Sequence, residues 1–172
     1  MTKEFGYPEF APDGAQILTL DHGKDSWMSC IVYRMQAGEV RKFSFADQEQ
    51  AILLMYGDVE FAWEDKTERI ARATFFDEGR GTCCLHAAKG VEVTVKAFAE
   101  TELMWQATEN DREFASKLYH PNEIRNEVFG KGLCGTTCER RVTTILDYSN
   151  APYSNLVVGE TYTEQGAWSG YP

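Results

Sequence analysis

Residues 91–98 (VEVTVKAF) alternate without a break, with Val91, Val93, Val95 and Ala97 on one face and Glu92, Thr94 and Lys96 on the other. A period of two describes a half-buried β-strand, which needs a sheet to pair with and a core to cover its apolar face. The rest of the chain offers both. Residues 27–35 (WMSCIVYRM) are β-branched and aromatic. Residues 51–56 (AILLMY) are apolar throughout, as for a strand buried on both faces. After the pair Gly57-Asp58, residues 59–63 alternate again, so 51–63 read as a hairpin. Residues 16–20, 69–76, 82–86 and 103–106 read as further short strands between Gly- and Asp-rich turns. Two more follow near the end, Arg140–Leu146 (RRVTTIL) and residues 155–162 (NLVVGETY).

Only one segment reads as a helix. Asn110 with Glu113 three residues on has capping-box spacing, and a short helix through Phe114, Lys117 and Leu118 should stop at His120-Pro121. Many short strands and one helix give an all-β sandwich or barrel, in its natural form a jelly roll.

Composition narrows the function. The 172 residues carry a net charge of −10, which repels phosphate backbones and argues against nucleic-acid binding. No apolar run approaches the ~18 residues of a membrane span. The first residues, MTKEFGYPEF, have neither a basic nor an apolar signal region, so a cytoplasmic location is expected. The five cysteines make an odd count that suits reduced thiols. Cys134 and Cys138 are spaced for a disulfide, or for half of a zinc site that lacks a convincing second half. The three histidines, His22, His86 and His120, form no H-x-H pair, so no metal ligands are assigned in this chain.

The most specific text is the last, residues 126–172. Gly130, Arg140, Val142, Ile145, Leu146 and Glu160 lead into Gly166-Ala-Trp168-Ser-Gly-Tyr171-Pro172. This resembles the 5-deoxyglucuronate isomerase family of inositol catabolism, related to the 4-deoxy-5-ketouronate isomerases, in which the motif reads like GxWSSYP and runs on into Pro-His-x-His. Gly170 stands where the family has Ser. The resemblance also takes in residues 51–61, Arg72 and Phe75, and the 91–98 strand. It implies a bicupin, two double-stranded β-helix barrels in tandem. Residues 1–125 would be the N-terminal cupin, and residues 126–172 would supply extra strands from the start of a second, incomplete one.

The resemblance implies an aldose–ketose isomerase acting on a sugar acid, with a divalent metal such as zinc polarising the substrate oxygens and a base carrying the proton. It places the metal ligands beyond Pro172, so this chain is expected to hold no cofactor and to lack catalytic residues. The alternative is a non-catalytic cupin that binds a sugar acid or serves as an oligomerisation module. Candidate substrate-binding residues are Arg140, Glu160, Trp168 and Tyr171. Arg140 would clamp a carboxylate or make a surface ion pair. Glu160 is a pocket acid or an outward-facing residue, and the two aromatics line a sugar face or pack at a rim. The two late strands need partners, on the first barrel or on a second subunit, and a homo-oligomer is expected.

Overall fold

The computed structural model describes residues 8–19 and 27–169. His22 and Tyr171 lie outside them. The described residues form β1 (Ala15–Thr19), β2 (Ser29–Met35), β3 (Val40–Phe43), β4 (Gln48–Trp63), β5 (Lys66–Arg72), β6 (Cys84–Ala87), β7 (Val93–Ala97), β8 (Thr101–Glu109), β9 (Lys117–Tyr119), β10 (Arg125–Phe129), β11 (Arg140–Leu146) and β12 (Val158–Thr163). Nine strands make one antiparallel sheet and β10-β11-β12 a second of three.

The large sheet folds over on itself through β4. Its first half pairs with β8 and β6, and its second half with β5 and β7. The two halves face each other across a core containing Ile52, Leu54, Val59, Phe61, Leu85, Val93, Val95, Leu103 and Trp105. The barrel interior is therefore filled with apolar side chains. Two of its polar side chains tie each other off, with Trp105 Nε1 donating to Gln50 Oε1 at 3.0 Å and Gln50 Nε2 to the Val91 carbonyl at 3.3 Å, while the buried Trp63 Nε1 has no partner among the described residues.

The expected hairpin at residues 51–63 is instead a single strand of 16 residues. Gly57 turns the strand from one half-sheet into the other, not back on itself. Its φ is 121°, and a Cβ there would strike the Thr101 hydroxyl and lie 2.7 Å from Thr101 Cα. The ladder to β8 slips just before it, between Leu54 and Tyr56, so a bulge supplies the bend. A Gly-Asp pair marks a bend equally well in both cases, and only the pairing partners distinguish them.

The expected helix after Asn110 is also absent, and is corrected to irregular chain followed by β9. Asn110 Oδ1 accepts the Arg112 N–H at 2.8 Å in a local turn, while its amide Nδ2 donates to the Tyr153 carbonyl at 2.8 Å. β9 then pairs with β6. Tertiary pairing thus takes the segment that local capping assigned to a helix. The nearest approach to a helix is a 3-10 turn at Pro121–Glu123, where Glu123 reaches back to the His120 N–H at 3.2 Å. No helix among the described residues is long and apolar enough to cross a membrane.

The run at residues 51–56 does face apolar surroundings on both sides. Ile52 and Leu54 point into the barrel, and Ala51 and Leu53 point outward into a second cluster. That cluster contains Cys84, Tyr119, Ile124, Ile145, Leu146, Leu156 and Val158. The two late strands therefore pack their apolar side chains on the outside of the barrel.

Replacing Gly57 by Ala should destabilise the chain by about 2 kcal/mol or more, because φ strain and the collision with Thr101 add. Urea unfolding followed by tryptophan fluorescence measures it. A loss below about 0.5 kcal/mol would mean that the bend does not depend on this glycine.

Candidate functional site

Where the three-stranded sheet meets the barrel, the chain buries charge. Arg72, the last residue of β5, has a fully buried side chain between two carboxylates. Its Nε and Nη2 donate to Asp77 Oδ2 and Oδ1 at 2.9 and 2.7 Å. Its Nη1 and Nη2 donate to Glu160 Oε1 and Oε2 at 2.8 and 3.1 Å. The remaining Nη1 hydrogen goes to the Leu54 carbonyl at 3.0 Å. All five guanidinium N–H groups are thus used, in two forked pairs and one backbone contact. Burial would lower the Arg72 pKa, but Asp77 and Glu160 outweigh it and push it up. Burial likewise opposes charge on Asp77, yet Arg72 and the N–H groups of Gly79 and Gly81 hold its carboxyl below the usual range. Thr82 adds a hydroxyl hydrogen bond to Glu160.

A second buried carboxylate lies on the first half of β4. Glu49 Oε2 is 2.7 Å from His86 Nε2. It also accepts the Ser154 hydroxyl at 2.8 Å, while Oε1 accepts the Asn155 N–H at 2.6 Å. Burial works against its charge, but the bonds from His86, Asn155 and Ser154 prevail and hold the carboxyl low. An ionised carboxylate only accepts, so the hydrogen between Glu49 and His86 belongs to His86 Nε2. The His86 ring stacks on Phe114 at 4.6 Å, and Phe114 stacks on Tyr153 at 4.7 Å. Asn155 Nδ2 reaches back to the Glu109 carbonyl at 2.9 Å. The connection between β11 and β12 is thereby clamped to the barrel.

The candidate residues are not brought together. Glu160 sits opposite Thr143 in the ladder and faces the barrel, with both oxygens engaged by Arg72. Arg140 is three residues from Thr143, so its side chain lies on the other face of the three-stranded sheet. There it stands over the Phe129 ring at 5.8 Å, and Nη1 donates to the Cys138 carbonyl at 3.3 Å. Trp168 is 54% exposed, and its backbone N–H donates to the Thr137 carbonyl at 2.7 Å. A small recess of about 90 Å³ is lined by Glu78, Val128, Arg140, Arg141, Tyr162 and Glu164 among others, so Arg140 borders it while Glu160 and Trp168 do not.

Sequence reasoning passed over Arg72, Asp77, Thr82 and Glu49 as functional groups. Arg72 stood inside a segment that read as an ordinary strand, and its partners are five and 88 residues away in sequence. The available signal was the family resemblance, which takes in Arg72 without giving it a role.

The divalent metal that the resemblance implies does not fit these residues. His86 is held by Glu49 and two aromatic rings, while His120 sits near the surface with Nε2 3.2 Å from Glu68. Among the described residues no group of three or more His, Cys, Asp and Glu side chains converges as a ligand set.

Arg72→Ala should cost about 3–5 kcal/mol, since it strands two carboxylates in a largely buried site. Glu160→Gln should cost less, because Asp77 still pairs the arginine. Equal losses in chemical denaturation would disprove this ranking. Acid should weaken the fold through Glu49 and Asp77. Both folded pKa values are depressed, so their contribution is complete above the ordinary carboxylate range near ~4 and disappears as pH falls through the folded values. Unfolding free energy measured from pH 6 to pH 2 should drop in that window, and Glu49→Gln should flatten the drop while lowering stability at neutral pH.

Comparison with known proteins agrees with this architecture. The KduI/IolB family model matches residues 9–172. The 5-deoxy-glucuronate isomerases of Geobacillus kaustophilus and Geobacillus thermodenitrificans are each 26% identical over 142 residues, which is 82% of this chain and 50% of theirs. The chain spans about half the length of the curated relatives it matches. Among solved structures, an IolB-like protein from Salmonella typhimurium superposes with a TM-score of 0.74 at 26% identity, covering 81% of this chain and 52% of that one. The putative glyoxylate induced protein from Pseudomonas aeruginosa shares the fold alone, with a TM-score of 0.57 at 10% identity, over 80% of this chain and 51% of its own. With a jelly-roll cupin barrel, a buried arginine fastening the late strands to it, and a family match that runs through both, this chain belongs to the KduI/IolB family.

Proposed function

We propose that this chain is the barrel-bearing part of a sugar-acid isomerase of the 5-deoxy-glucuronate isomerase type. Its role is to hold strands β10 to β12 in position as the opening of a second cupin, while holding no catalytic cation itself. The observation that carries this is the Arg72–Glu160 pair. A buried five-donor arginine is a costly way to attach a surface sheet, and it fixes the register and tilt of β12 against the barrel. This chain spans about half the length of the relatives that carry the isomerase name, and the reaction that the family resemblance implies moves a proton between adjacent carbons of a sugar acid. The described residues supply anchored walls for such a site. Their buried carboxylates and imidazole are already paired with one another and are not free to act as a base.

The test is metal analysis of the purified chain together with an assay of 5-deoxyglucuronate turnover. The expected result is substoichiometric zinc and manganese and no turnover. One equivalent of either metal, with isomerisation that a chelator abolishes, would overturn the proposal.

One observation favours the alternative of an oligomerisation module. Val128, Phe129, Leu133, Val157 and Trp168, in and around the three-stranded sheet, are exposed. On this reading the chain self-associates through that sheet and binds no sugar acid in its barrel, whose interior is full. Light scattering at micromolar concentration reports the association, and a monomer would exclude this reading.

A further inference from the structure

All five cysteines are free thiols, but they stand in two different environments. Cys83 and Cys84 point to opposite sides, one into the barrel core and the other into the second cluster. Burial pushes the Cys83 thiol up to about 11 and that of Cys84 higher still, so both stay protonated. Burial also raises Cys30.

Cys134 and Cys138 lie in the connection between β10 and β11, around the tight turn Cys134–Thr136. Cys134 is exposed and Cys138 is buried, and the neighbouring Cys134 side chain pushes the Cys138 thiol up. The turn is closed on the Cys134 carbonyl, which accepts the Thr137 N–H at 3.3 Å and the Thr137 hydroxyl at 2.7 Å. The backbone at Cys134 and Thr136 is left-handed, with φ of 50° and 74°, a region that residues with a Cβ enter at a cost. A reachable thiol and a sheltered one thus stand four residues apart around a turn on left-handed backbone.

We propose that Cys134 and Cys138 form a reversible intramolecular disulfide, with Cys134 reacting first with the oxidant and Cys138 resolving. With glutathione disulfide as oxidant, the Cys134 thiolate attacks one of its sulfurs and the oxidant's S–S bond breaks, releasing one glutathione thiolate. Cys138 loses its proton to solvent and attacks the Cys134 sulfur of the mixed disulfide, and the second glutathione leaves. Two protein thiols are oxidised and one external disulfide is reduced to two thiols. Such a small ring on strained backbone belongs to the readily reduced class. The turn is coupled to two of the candidate binding residues. The Thr137 carbonyl holds the Trp168 N–H at 2.7 Å, and the Cys138 carbonyl holds Arg140 Nη1 at 3.3 Å. The redox state of this pair thus acts on the segment that presents both.

The whole chain is treated with glutathione disulfide, alkylated, digested and read by mass spectrometry. The expected product is a monomer in which Cys134 and Cys138 are linked to each other and released together by dithiothreitol, with Cys30, Cys83 and Cys84 still alkylatable after unfolding. Cys138→Ser should stop at a stable glutathione adduct on Cys134. In Cys134→Ser, Cys138 should react at least about tenfold more slowly than Cys134 does, because it is buried. A persistent adduct on Cys134 of the unsubstituted chain, a disulfide between two chains, a link to another cysteine, or two thiols left free would each overturn the proposal.

Discussion

A guanidinium with all five donors used inside a protein is bound to its place. Arg72 ends β5 at the point where three parts of the chain meet: the Leu54 carbonyl of the bent strand, the loop carrying Asp77, and Glu160 of β12. Two carboxylates around one arginine leave the cluster anionic, and Thr82 and the N–H groups of Gly79 and Gly81 spread that charge. Each group is costly to bury alone, and the cluster is tolerable only when it is complete. Its gain is in specificity, since an apolar contact would let β12 slide and a forked ion pair does not.

The second anchor works by the same physics from the other side. Glu49 sits on the outward face of β4 and draws in Ser154 and the Asn155 N–H, so the connection between β11 and β12 is pinned at a fixed depth. Between the two anchors lies the apolar contact of Ile145, Leu146 and Val158 on Ala51 and Leu53. Hydrophobic burial supplies the attraction and is indifferent to register, while the two polar clusters choose the register. This division explains why the first half of β4 reads as apolar on both faces and yet carries a buried glutamate.

These commitments bear on chemistry. A cupin metal centre needs imidazoles and a carboxylate converging inside a barrel that has room for them. In this barrel the interior is occupied by Phe61, Trp105, Leu103 and their neighbours, and the one buried imidazole among the described residues is part of an anchor. The strands best placed to contribute to a site are those of the small sheet, whose orientation the anchors set.

The sequence by itself determined the all-β class, because the alternation at residues 91–98 and the apolar run at 51–56 have no other stable use. It also located β11 to the residue, and the family through the motif around Trp168. Its errors came where local chemistry has two solutions. Gly57-Asp58 suits a hairpin turn or a bulged bend, and Asn110 with Glu113 suits a helix cap or an isolated turn. Long-range pairing decided both, through β8 in the first case and β6 with Tyr153 in the second. The same holds for the site. Arg72 shows no sign of a partner within its own strand, and the sequence leaves Glu160 as either a pocket acid or an outward-facing residue. Only the tertiary structure put Glu160 against Arg72 and turned Arg140 to the opposite face. Residues 88 apart carry no mutual signal in a single sequence, whereas the pleat assigns a face to every side chain once the register is fixed.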